Sequence, residues 1–230
     1  MGTAALWGTV AASSLVIGAL LALVRNWPDR LVGLVLAFGA GALISAVSFE
    51  LAEDGIEVGG AAAVGIGLAA GALTYFVLDL RLESHGGSNP ASALALGAFL
   101  DGIPEQLVLG VGIAMGGEVA VGLIAAVFVS NLPEAIGSAS EMRRHGRDGA
   151  TVMRLWSAVA VVCALATLIG YALADNLSEE LQGAVNGFAA GALLVMLTDS
   201  MIPEARKAGR TAGLATAFGF ALAAGLSTTS

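Results

Sequence analysis

Polar residues interrupt this chain in short clusters, and the stretches between the clusters are almost wholly apolar. A bilayer core takes roughly 20 apolar residues per helix. By that ruler the pattern predicts eight spans, near 3–24, 31–52, 59–80, 91–115, 118–139, 152–174, 181–203 and 211–227. The connections are short and polar: "RNWPDR", "EDGIEVGG", "RLESHGGSNP", "MGGE", "EMRRHGRDGAT", "ADNLSEE" and "EARKAGR". Spans four and five are parted only by "GIAMGGE", which predicts a tight helical hairpin. The expected fold class is all-α: a polytopic membrane protein forming one transmembrane domain over 1–230.

Composition agrees with the pattern. Hydrophobic residues make up 57% and charged residues 12%, with a mean hydropathy of +0.86. A soluble chain carries about twice that charge. The 32 glycines predict closely packed transmembrane helices, because small residues let backbones approach. Cys163 is the sole cysteine and lies in an apolar run, so it reads as a small buried or lipid-facing residue. The first span has no basic segment before it, and Arg25 and Arg30 follow it. It is expected to be a retained helix, not a cleaved signal.

Charge predicts the topology. The connections after spans one, three, five and seven are basic, and those after two, four and six are acidic or neutral. All ten Lys and Arg fall on one side, from Arg25 and Arg30 to Arg206, Lys207 and Arg210. The other side carries Glu53, Asp54, Glu57, Glu118, Asp175, Glu179 and Glu180. The positive-inside rule makes the basic side cytoplasmic and both termini external. A bacterial cytoplasmic (inner) membrane fits the short Ala/Gly-rich chain.

The chain also resembles itself. "FGAGALISAVSFELAED" from Phe38 aligns with "FAAGALLVMLTDSMIPE" from Phe188, placing Glu50 opposite Ser200 and Asp54 opposite Glu204. The predicted topology runs these segments in opposite directions, the signature of an inverted repeat. Similar composition alone is the alternative account, and the acidic residue recurring at the same distance from the glycines favours the repeat. A second pairing sets Asp101, Gly102, Ile103, Pro104 and Glu105 opposite Ser130, Asn131, Leu132, Pro133 and Glu134. The expected organisation is a three-helix repeat (3–80), a central hairpin (91–139) and an inverted three-helix repeat (152–227).

The hairpin carries the candidate chemistry. Proline within a helix frees a carbonyl at a cost of roughly 3 kcal/mol in water, and in lipid such a site must lie against protein or a wet cavity. A mid-membrane carboxylate costs roughly 2.5–3.5 kcal/mol on insertion scales. Asp101, Glu105 and Glu134 have no Lys or Arg deep within any span to offset them, Arg154 standing only at the edge of the sixth, so a cation from solution is the expected partner. Asp101 and Glu105 are spaced i, i+4, and Asn131 and Glu134 i, i+3, so each pair shares a helix face. This predicts a divalent-cation site in a permeation path, with Gln106 and Ser130 as additional ligands. Isolated Pro-Glu pairs often mark only a kink, and two at matching depth weigh against that reading. Glu50, Asp199 and Ser200 are candidates to line the same path, while Glu204 either caps a helix or faces water. His85 and His145 read as solvated loop residues, and Met196 and Met201 as packing.

With these motifs in place, the chain resembles the ZIP (Zrt/Irt-like) family of divalent metal transporters. "DGIPEQ" and "NLPEAI" stand where that family carries His-Asn-x-Pro-Glu-Gly and a related Pro-Glu-Gly pattern. "FAAGALLVMLTDSMIPE" is similar to its seventh-helix motif. The resemblance implies eight helices in a three-two-three arrangement, metal import and, by analogy, a homodimer. It implies a divalent metal ion such as Zn, Mn, Fe or Cd as substrate, with no organic cofactor and no nucleic acid. Asp101 replaces the usual histidine, Gly102 the asparagine, and Ser200 a carboxylate beside Asp199, which predicts one metal site where the family often has two. An all-oxygen site suits harder ions than imidazole does. Competing readings are a non-transporting metal sensor or membrane scaffold and a proton-driven exporter. An intramembrane enzyme is disfavoured: no nucleophile sits beside a base, and no HExxH pattern occurs.

Overall fold

A computed structural model describes residues 1–85, 90–114, 121–174 and 177–227, with the side chains of 82–101, 121–123 and 126 outside the description. The described residues form nine α-helices: α1 (Gly2–Val24), α2 (Asp29–Ala46), α3 (Asp54–His85), α4 (Pro90–Ala114), α5 (Val121–Arg144), α6 (Gly149–Ala174), α7 (Glu179–Met196), α8 (Ile202–Ala205) and α9 (Ala212–Ser227). Two π-helical segments, Val47–Glu53 and Leu197–Met201, extend α2 and α7, and a 3₁₀ segment, Arg206–Thr211, precedes α9. The turn expected at "GIAMGGE" lies outside the described residues from Met115 on.

Among the described residues, four helical runs are long and apolar enough to cross a membrane: Gly2–Val24, Asp29–Arg81, Gly149–Ala174 and Glu179–Ser227. The chain is thus an all-helical protein of the membrane-spanning type. The second and fourth runs, 53 and 49 residues, each exceed one bilayer thickness and each contain a break. Gly60 (φ 83°) and Gly209 (φ 72°) supply the breaks, in a left-handed region that costs side-chain-bearing residues dearly. These runs do not by themselves establish eight spans. Among the described side chains, the stretch Gly102–Ala114 of α4 is a further apolar helical segment, and α5 carries Ser130, Asn131, Glu134, Ser138 and Ser140.

Glycine decides how the helices pack. On α7, a Cβ at Gly191 would overlap the Leu68 carbonyl of α3, and one at Gly71 would overlap the Phe188 carbonyl. On α2, a Cβ at Gly41 would overlap the Thr216 carbonyl of α9, and one at Gly219 would overlap the Phe38 carbonyl. Gly41 and Gly191 are 150 positions apart, as are Phe38 and Phe188, and as are the starts of the π segments at Val47 and Leu197. The contacts climb in register along both pairs, from Gly59–Gly183 to Leu68–Gly191 and from Gly33–Ala208 to Glu50–Ser227. Each pair therefore runs parallel.

The other helices pack likewise. Gly18 of α1 sits on Ala135 of α5, 2.7 Å from the position of its Cβ, and Gly110 and Gly170 bring α4 and α6 into backbone contact. A second apolar cluster joins Leu15 of α1, Ala139 of α5 and the fully buried Trp156 and Cys163 of α6. Helices α2 and α5 meet at Gly39, where the Ser130 Cα lies 3.1 Å from the position a Cβ would take.

These contacts predict a sharp asymmetry between glycines. Gly41→Val and Gly71→Val force backbones apart and should each cost about 1–3 kcal/mol or more. Gly65→Ala, with nothing within 4 Å of the new methyl, should be neutral or mildly stabilising. Thermal unfolding of the detergent-purified variants checks both.

Candidate metal centre

Helices α4 and α5 contain Pro104 and Pro133 in their interiors and touch each other. Without an N–H, Pro133 deprives the Val129 carbonyl of its regular donor four residues on. That carbonyl lies 3.3 Å from the position of a Gly39 Cβ, at the crossing of α2 and α5. The sequence thus places an electron-rich backbone oxygen at a point of close helix approach, next in the chain to Ser130 and Asn131, while the contacting helix α4 carries Glu105.

Those side chains are buried. Glu105 is 2% exposed, and Asn131 and Ser130 are each 1% exposed. The Ser130 hydroxyl donates to the Val127 carbonyl of its own helix at 3.0 Å, leaving its lone pairs available. The Asn131 amide nitrogen meets no hydrogen-bond partner among the described residues. Glu134 is half-buried, one turn beyond Asn131. The side chain of Asp101 lies outside the described residues, although its backbone is helical. Among the described residues no group of three or more His, Cys, Asp or Glu side chains converges tightly enough to hold a metal ion.

Gln106 takes a different direction. Its Oε1 accepts a 2.6 Å hydrogen bond from the Thr167 hydroxyl of α6, and both side chains are fully buried. Gly102, Gln106 and Gly110 form the ridge of α4 that meets Cys163 and Thr167 on α6. A Cβ on Gly102 would stand 2.6 Å from the Cys163 sulfur, so the tight α4–α6 contact leaves no room for a side chain at that position.

A cavity of about 440 Å³ opens below Glu134. One wall is a ridge of α5: Pro133, Glu134, Ser138, Glu141 and Arg144. The facing walls come from α2, with Asp29 and Leu36, and from the C-terminal segments, with Met196, Ser200, Met201 and Glu204. Its charged lining comprises Asp29, Glu134, Glu141 and Glu204 against Arg144 and Lys207, an acidic excess. At the mouth, Arg144 bridges to Asp29 at 2.9 Å, tying α5 to α2, and Lys207 pairs with Glu204 at 2.6 Å. The mouth thus lies among the basic connections.

Of the path-lining candidates, Ser200 lines this cavity. Asp199, its neighbour, is exposed and is not part of the lining. Glu50 lies in the first π segment, where its Oε1 accepts from the Ser227 hydroxyl at 2.7 Å and secures the end of α9. Sequence reasoning missed the cavity role of Glu141, Ser138 and the two methionines. For α5 the signal was present, because residues 134, 138 and 141 recur at helical spacing. The chain matches no protein-family model and no curated protein.

Asp29 opens α2 and Arg144 closes α5, both outside the predicted apolar spans 31–52 and 118–139, and the Arg144 hydrogen bond and charge hold the Asp29 carboxyl below its ordinary value. The pair is therefore complete above the ordinary carboxylate range and is lost as pH falls through the depressed value. Arg144→Gln should return the Asp29 carboxyl upward, as read by the ¹³C titration of that side chain.

Proposed function

We propose that this chain is an eight-helix transporter of divalent metal cations, moving them toward the cytoplasm through the α4–α5 hairpin. One observation carries the reading: a half-buried carboxylate beside an intrahelical proline, Glu134, stands at the head of an acid-lined cavity. One turn away lie Asn131 and the crossing with Gly39, and the contacting helix α4 buries Glu105. A divalent cation held by these oxygen donors would offset part of the cost of burying them in a lipid-embedded hairpin. Asp101, Glu105, Asn131 and Glu134 would bind that cation, with Ser130 near at hand. Gln106 would contribute only by turning away from Thr167.

The three-two-three inverted architecture is part of the same proposal. The paired contacts support it, since α2 lies on α9 as α7 lies on α3, at matching glycines. The segregation of basic residues supports a cytoplasmic cavity mouth and external termini. The substrate class, Zn²⁺, Mn²⁺, Fe²⁺ or Cd²⁺, follows the ZIP resemblance of the Pro-Glu motifs.

Uptake into proteoliposomes tests the proposal. Wild-type protein should accumulate at least one of these ions, and Glu105→Gln or Glu134→Gln should lower the rate by about tenfold or more, because each removes charge without removing bulk. Both variants should elute as folded protein in detergent. Undiminished uptake in both would sink the site, and absent uptake by the wild type would sink the function.

A further inference from the structure

Met196 and Met201 close α7 and the π segment that follows it. Both are nearly buried, at 3% and 4% exposure, yet both line the cavity that Glu134 heads. Residues five apart on an α-helix point about 140° away from each other. A π turn closes i to i+5 and brings such residues toward one face. The π segment therefore brings both methionines to one cavity wall, with Ser200 and Glu204 also along it.

Packing alone does not require methionine at these places. The same geometry occurs 150 positions earlier, where the flanking residues are Ala46 and Leu51, both buried. Met201 also reaches toward the candidate centre. Its terminal methyl lies 3.2 Å from the position of a Gly39 Cβ, and the Ser130 Cα lies 3.1 Å from that same point. The absence of a side chain at residue 39 is what admits the thioether there, one residue from Asn131.

A thioether is neutral and polarisable. It adds affinity for thiophilic transition ions and almost none for Mg²⁺ or Ca²⁺, which prefer oxygen. Being uncharged, it also contacts a cation without trapping it. We propose that Met196 and Met201 form a two-sulfur subsite on the cavity wall, between Glu134 and Glu204, that selects thiophilic divalent cations over alkaline-earth ions. The inference rests on the transport reading for its role, although the subsite can be detected without transport.

The probe is Cd²⁺. X-ray absorption at the cadmium edge on the purified full-length protein should show sulfur scattering, and selenomethionine labelling should convert it to selenium scattering. The near-isosteric double variant Met196→Leu/Met201→Leu should lose the sulfur shell. In proteoliposomes its preference for Cd²⁺ over Mg²⁺ should fall about tenfold, while the protein still elutes as a folded species in detergent. A wild-type spectrum with oxygen shells only, a sulfur shell unaffected by selenium, or unchanged selectivity in the double variant would each overturn the subsite. A sulfur shell removed by Cys163→Ser would overturn it too. Selenium scattering in a protein that takes up no divalent ion would uphold the subsite and remove the transport reading.

Discussion

Backbone contact at glycine is the constraint on which the rest of this structure depends. Lipid tails are as apolar as leucine, so burying apolar side chains gives these helices little reason to associate, and close packing must supply it. Leu68 and Phe188 offer carbonyls to the bare backbones of Gly191 and Gly71, and Thr216 and Phe38 do the same for Gly41 and Gly219. The positions of these glycines fix which helices pair and in what register. They thereby fix where α5 crosses α2, and hence where the cavity opens.

The two halves of the chain use one packing scheme for different ends. Val47–Glu53 and Leu197–Met201 are both π-helical, and each follows a helix pinned by a glycine contact. In the first half the widened turn exposes Glu50 to Ser227, a contact that secures the last helix. In the second it carries Met196, Ser200 and Met201 along the cavity wall. A π turn adds a residue without breaking the helix, so side chains can be re-aimed while the hydrogen-bond ladder survives. That matters where lipid offers no partner for a broken ladder.

How much of this was legible in the sequence follows from the same physics. The helical character, the breaks near Gly60 and Gly209, and the likeness of the segments from Phe38 and Phe188 were readable from hydropathy and spacing. In the structure each of those segments contains a π segment, the two starting 150 positions apart. The direction of Gln106 was not: it sits next to Glu105, yet a step of about 100° turns it to Thr167 instead of toward α5. Gly102 looked like a lost ligand and is a place where Cys163 leaves no room. Asp199 and Ser200 looked alike as path residues, and only Ser200 lines the cavity. Methionines five apart read as unrelated packing residues on an α-helix, because helical periodicity cannot reveal a π turn in advance.

The ridge of α5 joins these elements into a gradient of chemistry. At its inner end Pro133 and Glu134 stand near buried oxygen donors, and at its outer end Glu141 contacts Arg144, which bridges to Asp29. Exposed pairs of this kind are worth little to stability, so Arg144 and Lys207 matter more for the field at the mouth. Under the transport reading, each neutralises a carboxylate that would otherwise hold a passing divalent cation firmly. Between the two ends the wall is neutral, formed by Ser138 and, across the cavity, by the thioethers and Ser200. Under the transport reading a cation would thus pass from full carboxylate binding to neutral soft contacts and then to carboxylates already paired. On that reading both later stages would hold it more weakly than the full carboxylates do, which is the condition for release on the basic side.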